Sequence, residues 1–160
     1  MKKLLILAAA ALMALVSCTK DGEGSVEGRW NGYAEDTPND YVVSYILSGS
    51  KADIYILGWG EHFEGTWTKN NSNVTFTVTS GSRAEKHYED GSKEYGMAFG
   101  SIVNQETFEL GNGFQWYELD AETFTTRKQE IAETFSLVLD SDTKGHGAAF
   151  GRQLVFSKSK

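Results

Sequence analysis

Residues 73–79 read Asn-Val-Thr-Phe-Thr-Val-Thr, placing Val74, Phe76 and Val78 on one side of an extended chain and Thr75, Thr77 and Thr79 on the other. Strict alternation of this kind specifies an antiparallel strand with one wet face. It also constrains the neighbours, because such a strand is stable only when paired. Residues 62–68 repeat the pattern, with Phe63, Gly65 and Trp67 on one face, and Lys69-Asn70-Asn71-Ser72 supplies the turn. These segments predict a hairpin. A second is predicted from 41–47 and 52–57 around Ser48-Gly49-Ser50-Lys51, and a third from 83–89 and 93–99 around Asp90-Gly91-Ser92. Residues 114–119, a segment near 123–127, residues 134–139 and residues 153–156 add further short strands. About nine to eleven strands at roughly ten-residue spacing predict an all-β meander.

Helix signals are weak. The best candidate runs over 120–133, where Phe124, Lys128 and Ile131 approximate a stripe and Asp120 offers a cap, but Thr123, Thr125 and Thr126 oppose it. The one proline, Pro38, interrupts no predicted strand. A meander with so little helix hides its strand edges by closing into a barrel or by stacking as a sandwich. The expectation is an up-and-down antiparallel barrel of about 8–10 strands, with a β-sandwich as the alternative.

The N-terminus carries an address. Lys2 and Lys3 precede an uncharged run over 4–16, 13 residues long, which is too short to span a bilayer. It ends in Leu15-Val16-Ser17-Cys18, and Cys18 is the only cysteine. This resembles the lipobox of bacterial lipoproteins, with a large aliphatic at minus three and a small residue at minus one. The resemblance implies a signal peptide over 1–17, a lipid on Cys18, a flexible tether over 18–25 and a β-domain over 26–160. Three acyl chains would anchor the protein essentially irreversibly. Thr19 is not the aspartate of the enteric inner-membrane retention signal, and Lys20, Asp21 and Glu23 resemble an acidic surface-export tether. The implied location is the outer membrane, with exposure at the cell surface or toward the periplasm.

Gly28-Arg29-Trp30 on the first strand of the domain resembles the Gly-x-Trp signature of lipocalins and lipocalin-like lipoproteins. The resemblance implies that Trp30 plugs one end of the barrel under an arginine from a late strand. Arg152 is the position matched to it, with Arg127 as the substitute. The family's Thr-Asp-Tyr turn has no counterpart.

Charge and chemistry narrow the function. After removal of residues 1–17, 13 basic side chains face 22 acidic ones. Nucleic acid is excluded as a partner, since nothing forms a basic patch to neutralise phosphates. Asp140-Ser141-Asp142-Thr143-Lys144-Gly145 begins like a calcium loop, yet Lys144 stands at the fifth place and Gly151 where a bidentate glutamate belongs. His62, His87 and His146 have no ligand spacing among themselves, so no metal is expected. No nucleophile elbow, phosphate-cradling loop or dinucleotide fingerprint is present, and neither a cofactor nor catalysis is expected.

The remaining signal is aromatic: four Trp, seven Tyr and nine Phe. Tyr45 and Tyr55 are read as sharing one face of their hairpin, and Trp59 and Trp116 as lying near strand ends, where barrel mouths are built. These four are the candidate ligand-binding residues. The function expected is a lipid-anchored envelope protein whose barrel takes a small apolar or amphipathic molecule or acts as an interaction module. The alternatives are a surface glycan-binding sandwich and, third, a hydrolase.

Overall fold

The structure, a computed structural model, describes residues 25–37, 41–96 and 101–159. The lipobox, Cys18, most of the tether and Pro38 lie outside these residues.

Twelve strands and one α-helix are present among the described residues. Strands β1 (Gly28–Ala34), β2 (Tyr41–Ser48), β3 (Lys51–Ile56), β4 (Glu61–Asn70) and β5 (Asn73–His87) form a continuous antiparallel meander. Strands β10 (Ser136–Leu139), β11 (Lys144–Ala149) and β12 (Arg152–Lys158) continue it, and β12 pairs back onto β1. Closure comes from β10 against β5, through Leu137 opposite Val74 and Val138 opposite Asn73. The Leu139 amide adds a bond to the Ser72 carbonyl at 2.8 Å. The result is a closed eight-stranded up-and-down barrel of lipocalin-like build, and the sandwich alternative is set aside by that closure.

The predicted hairpins form around Gly49-Ser50, Asn71-Ser72 and Asp90-Gly91, because each pair of alternating segments meets across residues suited to a turn. Asn71 takes the left-handed conformation, with φ 55°, which asparagine tolerates better than most residues. Strand β5 runs past the barrel wall, where residues 82–85 pair with β9 (Gln115–Glu118) and residues 85–87 with β6 (Lys93–Tyr95). A separate two-stranded flap consists of β7 (Ile102–Asn104) and β8 (Glu109–Leu110).

Residues 121–134 correct the sequence reading: the segment near 123–127 is no strand but part of helix α1 (Ala121–Thr134). Asp120 caps it, accepting from the Thr123 amide at 2.8 Å and the Thr123 hydroxyl at 2.7 Å. Those bonds hold the Asp120 carboxyl below its ordinary pKa. Thr125 and Thr126 turn their hydroxyls to carbonyls four residues back, which removes their competition with the backbone. Because β10 pairs with β5 over so short a stretch, the seam above it is open, and α1 packs there against β5 and β11 with Ile131 buried.

Strand β11 carries no apolar alternation in sequence. Its Gly145, Gly147 and Ala149 face inward where bulk is excluded, and a Cβ at Gly147 would stand 2.1 Å from the Ser136 carbonyl oxygen. The small residues are matched by large ones elsewhere. Trp30, Tyr45, Phe63 and Phe156 are wholly buried and fill the interior, with the Tyr45 ring 4.6 Å from Phe76 and 5.1 Å from Phe156. The Phe156 ring lies over Gly32, its partner on the adjacent strand β1, where a Cβ would stand 2.6 Å from the ring. The barrel is therefore a packed core, not an empty cup.

Candidate functional site

The two ends of the barrel are built differently. At the first, Trp30 donates from Nε1 to the Val26 carbonyl at 2.8 Å, and the Lys158 ammonium lies 5.8 Å from the Trp30 ring while donating to the Ser25 carbonyl. Residues 25 and 26 are thereby folded over the plug. The lysine takes the place predicted for an arginine, because register sets Lys158 directly opposite Trp30. Arg152 is at the far end of the same strand, exposed, with Nη2 2.8 Å from Asp36.

Beside this plug opens a cleft of about 480 Å³. Val26 and Leu139 supply its apolar surface, the wholly buried Trp30 backs it, and Lys69, Ser72 and Asp142 are among the polar groups around it. Its position follows from local structure: the β4–β5 turn at 71–72 and the β10–β11 turn at 140–143 project past the barrel on either side of Trp30. The second turn is the segment that begins like a calcium loop. Its Ser141 hydroxyl accepts from the Lys144 amide at 3.0 Å, and the Asp140 carboxylate lies 2.9 Å from His146 Nδ1. It folds as a hairpin turn, because the chain continues directly into β11.

At the opposite end the plug is charged. Glu61 is 1% exposed and accepts from Arg83 Nη2 at 2.7 Å and from Arg127 Nε at 2.9 Å. The Arg127 guanidinium lies 3.9 Å from the Trp59 ring, and Phe150 packs 4.1 Å from the same indole. The arginine-on-tryptophan contact expected at Trp30 is thus made by Arg127 at Trp59.

The four aromatic candidates do not form one site. Tyr45 pairs with Ile54, and Ser44 with Tyr55, so alternation sends Tyr45 inward and Tyr55 outward, correcting the shared face read from sequence. Burial pushes the Tyr45 phenol well above the ordinary tyrosine range, and its hydroxyl has no hydrogen-bond partner among the described residues. Its surroundings give it a packing role. Tyr55 and Trp116 do meet on the outer wall, with ring centroids 6.1 Å apart. Trp59 stands alone at the charged end.

The outer-wall cluster was hidden from the sequence because the flap supplies part of it. Phe108 lies parallel to Tyr55 at 3.7 Å, and His62 stacks on Tyr55 at 4.2 Å. Arg29 fastens the flap, donating to the Gln105 and Glu106 carbonyls at 2.7 and 2.9 Å and lying 4.6 Å from the Phe108 ring. This explains why Ser44, on the outward face of β2, is fully buried.

The fold defines a small closed up-and-down β-barrel with a packed interior and a polar-rimmed cleft at the Trp30 end. No protein-family model matches the chain, and neither a curated protein nor a solved structure matches it. No helix among the described residues is long and apolar enough to cross a membrane.

Proposed function

We propose that this protein is a lipid-anchored outer-membrane lipoprotein that binds a small amphipathic molecule at the Trp30 end of its barrel. The observation that carries this reading is the cleft: its volume of about 480 Å³ suits a small ligand. Its apolar floor and mixed polar rim suit a molecule with a short hydrocarbon part and a polar head. Tyr45, Tyr55, Trp59 and Trp116 are absent from its lining, so the ligand role moves from them to Val26 and Leu139, with the buried Trp30 backing the cleft. An interior-bound ligand is disfavoured, because Trp30, Tyr45, Phe63 and Phe156 already fill that space.

The anchor and the cleft support each other. Ser25 lines the cleft seven residues after Cys18, and seven residues reach at most about 25 Å. An acylated Cys18 would keep the cleft near the membrane surface, where amphiphiles concentrate. A glycan-binding role is disfavoured by Trp59, whose indole is engaged by Arg127 and Phe150.

Decanoate, titrated into the protein while its melting temperature is followed, tests the ligand class. The expected result is a rise that follows occupancy, is lost in Leu139→Ser and is kept in Trp59→Ala. No rise, or a rise lost only in Trp59→Ala, would overturn the cleft reading. Cys18→Ala should abolish fatty-acid labelling in the host; persistent labelling would remove the anchor.

A further inference from the structure

The barrel's three histidines each sit against a carboxylate: His62 with Asp53, His87 with Glu85 and His146 with Asp140. Among the described residues, only the first pair belongs to a larger group of potential metal ligands. Asp53, His62 and Glu64 offer one ligand atom each within 4.8 Å of one another, the one such trio among the described residues. We propose that Asp53, His62 and Glu64 form a divalent-cation site of the zinc class on the outer wall of the barrel.

Strand geometry creates the convergence. Asp53 lies directly opposite Glu64, and Tyr55 directly opposite His62, so the three ligands come from neighbouring positions on one face of the β3–β4 pair. Cross-strand partners and residues two apart on one strand are the nearest side chains a sheet can offer. A tetrahedral zinc ion with ligand distances near 2.0–2.1 Å needs donor atoms about 3.3 Å apart. His62 Nε2 and Asp53 Oδ1, at 2.8 Å, already approach that spacing. Closing the trio requires a side-chain adjustment of the exposed Glu64, whose Oε2 accepts from the Ser80 hydroxyl at 3.2 Å and would exchange that bond for the cation.

Two features favour a cation over a plain ion pair. Two carboxylates around one neutral imidazole carry a charge of minus two, which a divalent ion balances and a single histidinium does not. The imidazole is oriented in advance by Tyr55 against its face at 4.2 Å and Trp116 edge-on at 5.8 Å, with Phe108 supporting Tyr55 from its own side at 3.7 Å. This packing restrains the ring angle, a task that an outer hydrogen bond performs at many histidine ligands.

The test is calorimetric titration of the full chain in mild detergent with zinc chloride. One site of roughly micromolar affinity is expected, weakened at least tenfold in His62→Gln and in Glu64→Gln. The second variant changes an exposed side chain, and an unchanged melting temperature in Glu64→Gln separates loss of binding from misfolding. His146→Gln, which disrupts a two-group pair, should bind zinc unchanged. Copper(II) should quench indole fluorescence in the wild type and less in His62→Gln, because Trp116 adjoins the site. No saturation below millimolar zinc, or binding untouched by both site variants, overturns the proposal, and the decanoate response is independent of either result.

Discussion

One end of this barrel is sealed by an indole and the other by an ion cluster, and the two solutions leave different freedoms. Trp30 closes its end with apolar surface and one hydrogen bond, to Val26. Little else is needed there, so the adjoining turns can hold a cleft without exposing unsatisfied groups. At the opposite end, Glu61 is buried and must keep both Arg83 and Arg127. A buried carboxylate is tolerated only while it stays paired, and every neighbour it recruits is tied to that duty. Helix α1 is part of the arrangement, since it brings Arg127 to Glu61 and Ile131 into the core. The charged end is therefore spent on structure, and the indole end is left for binding.

Breaking each plug should expose the difference. Trp30→Ala removes the largest wholly buried side chain and should cost about 3 to 5 kcal/mol in chemical denaturation. A midpoint that hardly moves would mean that the end is held by something other than Trp30. Glu61→Gln should cost about 2 to 3 kcal/mol, less than the loss of a fully enclosed partner, because the two guanidiniums still reach water. Recovery in a Glu61→Gln, Arg83→Met double variant would show that stranded positive charge, not lost packing, causes the defect.

A smaller effect tests the interior between the plugs. Tyr45 has a raised phenol pKa in the folded state, so its contribution is fully present below the unfolded value of about 10 and declines as pH rises above it. Tyr45→Phe should hold or raise stability at pH 7 and flatten the decline between about pH 10 and 11, measured by denaturation midpoints across that range. Loss of stability at pH 7 would reveal a partner for the hydroxyl. The smallest effect belongs to Arg152→Ala. This exposed pair with Asp36 should change stability by under about 0.5 kcal/mol, whereas an arginine packed on the Trp30 plug would cost clearly more.

What could be read beforehand was whatever repeats locally. The alternation in 73–79, the turn residues at 49–50, 71–72 and 90–91, and Gly28-Arg29-Trp30 on the first strand each carry their meaning in neighbouring residues. Strand β11 was not legible, because Gly145 and Gly147 answer to the crowding of β10 against them, not to a period of their own. Helix α1 was faint for a related reason: its threonines count against it until their hydroxyls are seen bonded along the helix. The cleft escaped notice because its lining comes from three separated stretches of chain, none of which is rich in aromatics.

The sequence by itself determined a β meander and its turns, since strand alternation and turn chemistry are properties of a few adjacent residues, whereas Trp30 as an end plug came from a resemblance to the Gly-x-Trp signature. Only the tertiary structure decided that Tyr45 and Tyr55 part company, that Lys158 and not Arg152 covers Trp30, and that Asp53, His62 and Glu64 converge. Those outcomes rest on register. Shifting a strand by one residue exchanges its inner and outer faces, and register in this barrel is fixed jointly by β12 on β1, the short closure of β10 on β5, and the flap that Arg29 holds against the wall.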